Sequence, residues 1–158
     1  MNTMDLTEHF SFHEVEFSRD GLRLGIDNAL PTDFEANARR VARDLEVIRT
    51  KVGPILVHSW FRCPKVNKLV SGASDSAHLE ARGVDITVAG MRPIDLARVI
   101  LALPELQRDQ VILEFPPEGW VHYGIARQGE PARGQVMTAS NVPSLLGVKK
   151  VYTVGLNA

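Results

Sequence analysis

A single cysteine, Cys63, stands in a chain of 158 residues, so an internal disulfide framework is excluded. No apolar run approaches the ~20 residues that span a bilayer, and membrane insertion is not expected. An excess of positive charge is also missing: 18 Lys and Arg face 19 Asp and Glu, for a formal net charge of −1. That balance offers no basic footprint for nucleic acid. The opening residues, Met1-Asn-Thr-Met-Asp-Leu-Thr-Glu8, lack the basic and apolar regions of a secretory signal. We therefore expect synthesis in the cytoplasm without a signal peptide, and action on any outside substrate only after release. Repeats, linkers and a second domain are equally lacking. What is present, 44% hydrophobic and 23% charged residues, suffices for one domain with a real core. A monomer is expected.

The chain is organised around Ser76-Ala-His78-Leu-Glu-Ala-Arg-Gly-Val-Asp85-Ile86. His78 brings a nitrogen donor and Asp85 a carboxylate, both of which zinc accepts. Val84, Ile86 and Val88 alternate with Asp85 and Thr87. In a strand this puts the apolar set on one face and Asp85 on the other, toward water or a cleft. The pair looks like half of a metal site. A third donor must come from far along the chain, and Trp120-Val121-His122 offers one.

Around that stretch the chain reads as follows. Phe10 to Phe17 predicts a short strand or irregular segment docked on the core, with His13 and Glu14 at the surface. Asp20-Gly21 and Asp27-Asn28 mark turns. Thr32-Asp-Phe-Glu35 reads as a capping box. It opens an amphipathic helix from Thr32 to Thr50 that buries Phe34, Ala38, Val41, Leu45 and Ile48 and is stopped by Gly53-Pro54. Ile55 to Trp60 predicts a strand with Leu56, His58 and Trp60 on one face, and Pro64 opens a short helix. Cys63 reads as a small buried residue without a thiol-activating neighbourhood. A second helix, from Arg92 to Leu103, presents Ile94, Ala97, Ile100, Leu101 and Leu103. Gln110 to Phe115 and Trp120 to Ile125 form a hairpin. An odd loop pairs Glu114 with Trp120 and puts Glu114, Trp120 and His122 on one face; an even loop turns Glu114 away. Residues 127–143 read as irregular, and Lys149 to Val154 as a terminal edge strand.

Taken together, these motifs match a family. Ser-X-His, seven residues to Asp, then Trp-Val-His resembles the zinc D-Ala-D-Ala carboxypeptidase family, whose members cut peptidoglycan stem peptides. Phe10 to Ser18, Val57 to Pro64 with Val66-Asn67, and Asp109-Gln110 leading to Glu114-Phe115 resemble its phage and prophage branch of catalytic, endolysin-like domains. The resemblance covers roughly residues 10 to 126.

It implies a Zn2+ cofactor held by His78, Asp85 and His122, with a fourth position left to water. A carboxylate must then take and return a proton. Several relatives carry this acid three residues before the second histidine, where this chain has Gly119. Glu114 fits the Glu-Phe of the phage-type branch and the odd-loop register; Glu118, on the turn, is the second choice. By the same resemblance Arg62 acts on the substrate, both as a binding group and in catalysis. Ser76 binds substrate or fixes the loop, and Trp120 packs beneath the site and contacts substrate. Asp109 either orients a ligand histidine or sits at the surface.

The expected fold is α+β, Hedgehog/DD-peptidase-like: residues 1–158 as one small domain, core 10–126 and C-terminal extension 127–158. An antiparallel sheet carries the site, with helices beside it. The expected function is a zinc metallopeptidase, a hydrolase of cell-wall peptide bonds. It acts as a D,D-carboxypeptidase or an L-alanyl-D-glutamate-type endopeptidase. Two rivals stand beside it: an inert binding or structural module of a phage particle, and a zinc dipeptidase on another substrate.

Overall fold

Alternating apolar residues and two amphipathic helices fold onto one another as a helix layer over a sheet. The computed structural model describes residues 5–145 and 147–157. Six strands, β1 (Ile55–Ser59), β2 (Gly83–Val88), β3 (Arg108–Glu114), β4 (Trp120–Ile125), β5 (Gln135–Ser144) and β6 (Gly147–Val154), form one sheet in the order β1-β2-β4-β3-β5-β6. Every pairing is antiparallel except β3 with β5, which is parallel. The α+β class is as expected, and the sheet is mixed. The long helices are α3 (Glu35–Val52) and α5 (Pro93–Ala102); α1 (Phe12–Glu16), α2 (Arg19–Arg23) and α4 (Pro64–Leu69) are one or two turns each.

One face of the sheet supplies Val84, Ile86, Val111, Val121 and Tyr123 to a core shared with Val41, Leu45 and Ile48 of α3 and Leu96, Ala97 and Ile100 of α5. Each large side chain buried here contributes about 1.5–3 kcal/mol. On α5 the buried stripe is Pro93, Leu96, Ala97 and Ile100, so the expected Ile94 and Leu101 lie on its half-buried flank. The opposite face of the sheet is left for the cleft.

Several local expectations are corrected. The Thr32–Glu35 capping box is not made: Thr32–Phe34 is a 3-10 turn, and the Glu35 N–H donates to the Thr32 carbonyl rather than to its hydroxyl. A capping box does form at Ser11, whose N–H and hydroxyl donate to the Glu14 carboxylate at 2.9 and 3.0 Å. Where a short strand or irregular segment was expected at Phe10–Phe17, that cap opens α1, with Phe10 and Val15 buried and Phe17 44% exposed. Asp20-Gly21 lies within α2 rather than a turn, with the Gly21 N–H donating to Ser18 Oγ at 3.1 Å.

β1 carries a bulge between Val57 and Ser59. The added residue shifts the alternation by one. His58 therefore stays exposed, its Nε2 2.6 Å from Thr87 Oγ1, while Trp60 is fully buried. Leu56, His58 and Trp60 do not share a face. Residues 135–143, within the stretch 127–143 expected to be irregular, belong to β5. The terminal edge strand is present as β6, slightly longer than expected.

The β3–β4 hairpin has the odd loop. Glu114 pairs with Trp120 and Ile112 with His122, across the five residues Phe115–Gly119. Phe115 takes a left-handed φ of 54°, which ends β3 abruptly after Glu114.

Candidate metal centre

β2 and β4 pair so that Asp85 faces His122 directly. His78 reaches the same point from the 3-10 turn Ala77–Glu80 that precedes β2. His78 Nε2 lies 3.2 Å from Asp85 Oδ1 and 3.1 Å from His122 Nδ1, and His122 Nδ1 lies 2.9 Å from Asp85 Oδ1. All three residues are buried, with at most 4% exposure. Among the described residues this is the one His/Cys/Asp/Glu group compact enough to hold a metal ion. Ligands at the ~2.0–2.2 Å bond lengths of tetrahedral zinc lie about 3.3–3.5 Å apart. The observed triangle is close to that size.

Neighbouring groups aim the donors. His78 Nδ1 sits 2.6 Å from the Trp60 carbonyl oxygen, which can only accept, so Nδ1 carries the proton and Nε2 presents its lone pair. The β1 bulge places that carbonyl. Ser76 Oγ accepts from the His78 N–H at 3.4 Å, capping the turn. Asp85 Oδ2 accepts from Arg62 Nη2 at 2.5 Å, and Arg62 Nε donates to Ser59 Oγ at 2.8 Å. Arg62 thus occupies one carboxylate oxygen and leaves Oδ1 to the histidines. Among the described residues its Nη1 has no hydrogen-bond partner, and its guanidinium lines the cleft.

Three lone-pair atoms so close together repel unless a proton or a cation lies between them. Burial opposes the Asp85 charge, yet the imidazoles of His78 and His122 hold its carboxyl well below the usual carboxylate range. Burial likewise makes His78 harder to protonate than an exposed histidine, with Asp85 pulling the other way. A neutral imidazole and an ionised carboxylate are the forms that bind a metal. The donor set therefore fits a divalent ion such as zinc.

The centre lies in a cleft of about 1320 Å³. Glu114 lies on its wall, 8% exposed, with Oε2 accepting from Lys150 Nζ at 2.8 Å. Glu118 is exposed on the loop and does not line the cleft. The Gly119 position has no room for a side chain: an added Cβ would fall 1.7 Å from the Glu114 carbonyl oxygen. Trp120 flanks the cleft and meets Phe115 edge to face, ring centroids 5.3 Å apart.

Asp109 does not touch His122. It is buried and takes both side-chain and backbone bonds from Arg133, at 2.6 to 3.1 Å, which ties the segment before β5 to β3. Cys63 is half-buried, and its N–H donates to Asn28 Oδ1 at 2.8 Å.

Three contributors escape a sequence reading. Asn28 is a buried clamp: its amide also donates to the Glu16 and Phe61 carbonyls, fixing the segment that carries Arg62. Gly83 makes room for the His122 ring, since a Cβ there would fall 2.7 Å from His122 Cε1. The Arg-Gly before the alternating strand was its only trace. Lys150 arrives from β6, three strands from the centre of the site, with no local pattern to mark it.

No curated protein matches the chain. A family model described as Peptidase M15 matches residues 8–122. A match over most of the chain, with a buried His-Asp-His group able to hold a metal, establishes that the chain belongs to the Peptidase M15 family, the zinc D-Ala-D-Ala carboxypeptidase type.

Proposed function

We propose that the protein is a zinc-dependent peptidase that hydrolyses a peptide bond in peptidoglycan stem peptides. The observation that carries this reading is the convergence of His78 Nε2, Asp85 Oδ1 and His122 Nδ1 within 3.2 Å of one another at a cleft whose wall carries Glu114. His78, Asp85 and His122 are the residues that would hold the ion. When bound, zinc polarises a scissile carbonyl and acidifies a water molecule.

The remaining chemistry falls to side chains. Glu114 Oε1, free of hydrogen bonds among the described residues, accepts the proton of the attacking water and returns it to the leaving amine. Its register on the His122 face supports this role over Glu118. Arg62 holds Asp85 with Nη2 and offers Nη1 to a substrate carbonyl or carboxylate. Trp120 and Phe115 give the peptide an apolar wall, and Ser76 lies at the cleft edge.

The stretches shared with the phage and prophage branch support a role as an endolysin-like enzyme that meets the wall after release. The bond is either that cut by a D,D-carboxypeptidase or that cut by an L-alanyl-D-glutamate-type endopeptidase. Mass spectrometry of muropeptides after digestion by zinc-loaded protein separates the two, through released D-alanine or a split stem. Metal-loaded protein inert on purified peptidoglycan and on every stem peptide would overturn the proposal.

A further inference from the structure

The matched family region ends at residue 122, and β5 and β6 lie beyond it. Lys150 stands on β6 opposite Asn141 of β5, and β5 lies beside β3. Its ammonium is 2.8 Å from Glu114 Oε2, 5.0 Å from the centre of the Phe115 ring and 5.1 Å from that of Tyr152. The ammonium is thus confined by two aromatic faces and one carboxylate. Phe115 is brought there by its left-handed φ, and its N–H is bonded to the Ala139 carbonyl of β5 at 2.8 Å.

We infer that Lys150 is a positioning residue: it immobilises the Glu114 carboxylate by one oxygen, so that the other faces the cleft in a single orientation. This rests on the reading of Glu114 as the proton-transfer group. A glutamate side chain otherwise samples several rotamers, each costing alignment with the reacting water. Holding Oε2 from the side of β6 leaves Oε1 without a hydrogen-bond partner among the described residues. The β5–β6 hairpin is on this account part of the catalytic apparatus.

Opposed to this is the plain electrostatic effect: an ammonium on a general base weakens its pull on a proton. Lys150 is 37% exposed, so water screens that penalty, whereas the orientation is kept by the two rings. Orientation should win.

The test compares wild type, Lys150→Met, Lys150→Arg, Glu114→Gln and Glu114→Gln/Lys150→Met, all zinc-loaded, on purified muropeptides. Lys150→Met should lower kcat about tenfold, with KM and zinc content unchanged, since proton transfer carries ~10²–10⁴ and only its alignment is lost. Lys150→Arg should recover most of that loss. In the Glu114→Gln background Lys150→Met should add nothing. Turnover within twofold of wild type overturns the inference. So does a rise, which would make Lys150 a brake, or a loss that persists in the Glu114→Gln background. If wild type itself is inert, the peptidase reading fails separately. The inference is then judged on urea unfolding of the same variants, where additive losses from Glu114→Gln and Lys150→Met would overturn it.

Discussion

Gly83→Ala tests whether the histidine of β4 is held in place by the empty space beside it. The added methyl would fall 2.7 Å from His122 Cε1 and 3.0 Å from Ala77 Cβ. Carbon atoms pack at ~3.5 Å, so the ring must retreat on the order of 0.8 Å. His122 Nδ1 is one corner of a triangle with edges of 2.9 and 3.1 Å, and metal bonds tolerate about ±0.2 Å. The retreat therefore exceeds what ligation allows. Zinc affinity should fall roughly 10- to 100-fold, the range seen when a ligand's support is disturbed. That is about 1.4–2.7 kcal/mol taken from the stabilisation that zinc gives. Overpacking adds about 1–3 kcal/mol of destabilisation with or without metal. Competition with a chromophoric chelator reads the first quantity, and urea unfolding with and without zinc reads both. Gly124→Ala is the control, because its Cβ would sit 3.4 Å from His122 Nε2, an ordinary contact, and affinity should stay within about threefold. Wild-type zinc affinity in Gly83→Ala would refute the reasoning.

His122→Ala should abolish both metal uptake, measured by elemental analysis, and peptide hydrolysis; Glu114→Ala should keep the metal and lose ~10²–10⁴ in turnover. Full activity in Glu114→Ala would pass the proton-transfer role to Glu118. Asp109 has its carboxyl held below the usual range, chiefly by the Arg133 guanidinium. Its contribution to stability is therefore present above the ordinary carboxylate value of ~3.9 and lost as pH falls through the lower folded value. Asp109→Asn should be less stable than wild type in urea at pH 7, with the gap closing in acid; a gap independent of pH would contradict this. Chelation should leave the fold intact by circular dichroism, because Arg62 already compensates the buried Asp85 charge. Arg62→Met without metal should lose about 3–5 kcal/mol, as expected for a broken buried pair.

Much of this is legible in the sequence, for physical reasons. Period-2 alternation from Val84 to Val88 put Asp85 on the cleft face, and helical spacing from Ala38 to Ile48 placed α3. The hairpin register followed from counting loop residues, because a strand has only two faces. What stayed hidden depends on choices among backbone partners. At Thr32 the Glu35 N–H goes to the Thr32 carbonyl in a 3-10 turn, and the box forms instead at Ser11 on another helix; which acceptor on one residue takes the N–H cannot be read from composition. The β1 bulge leaves no trace in Ile-Leu-Val-His-Ser-Trp, yet it sends Trp60 inward and its carbonyl to His78. β5 is polar and carries a proline, so its strand character comes from β3 and β6 on either side rather than from composition. Asp109 was expected near a histidine or at the surface. The bond to Arg133, 24 residues on, could not be read locally.

On the proposed reading, the register of one hairpin separates the groups that would hold an ion from the one that would move a proton. Asp85 and His122 are direct partners on β2 and β4, whereas Glu114 pairs with Trp120, two residues along β4 from His122. Groups offset in this way on neighbouring strands have Cα atoms ~7–8 Å apart. Glu114 is accordingly absent from the compact donor group while sharing its face. On the proposed reading this placement keeps Glu114 out of the ligand set while leaving its carboxylate in the same cleft, to act on a water molecule there. The five residues Phe115–Gly119 fix it. Deleting one of them would leave two outcomes, a slipped β3 with Glu114 turned toward the α3 and α5 core, or a strained loop that keeps the register. Burying a carboxylate at the Leu113 position, fully buried opposite Val121, costs far more than a strained loop, so the register should persist and the strain should appear at Phe115, whose backbone is already left-handed.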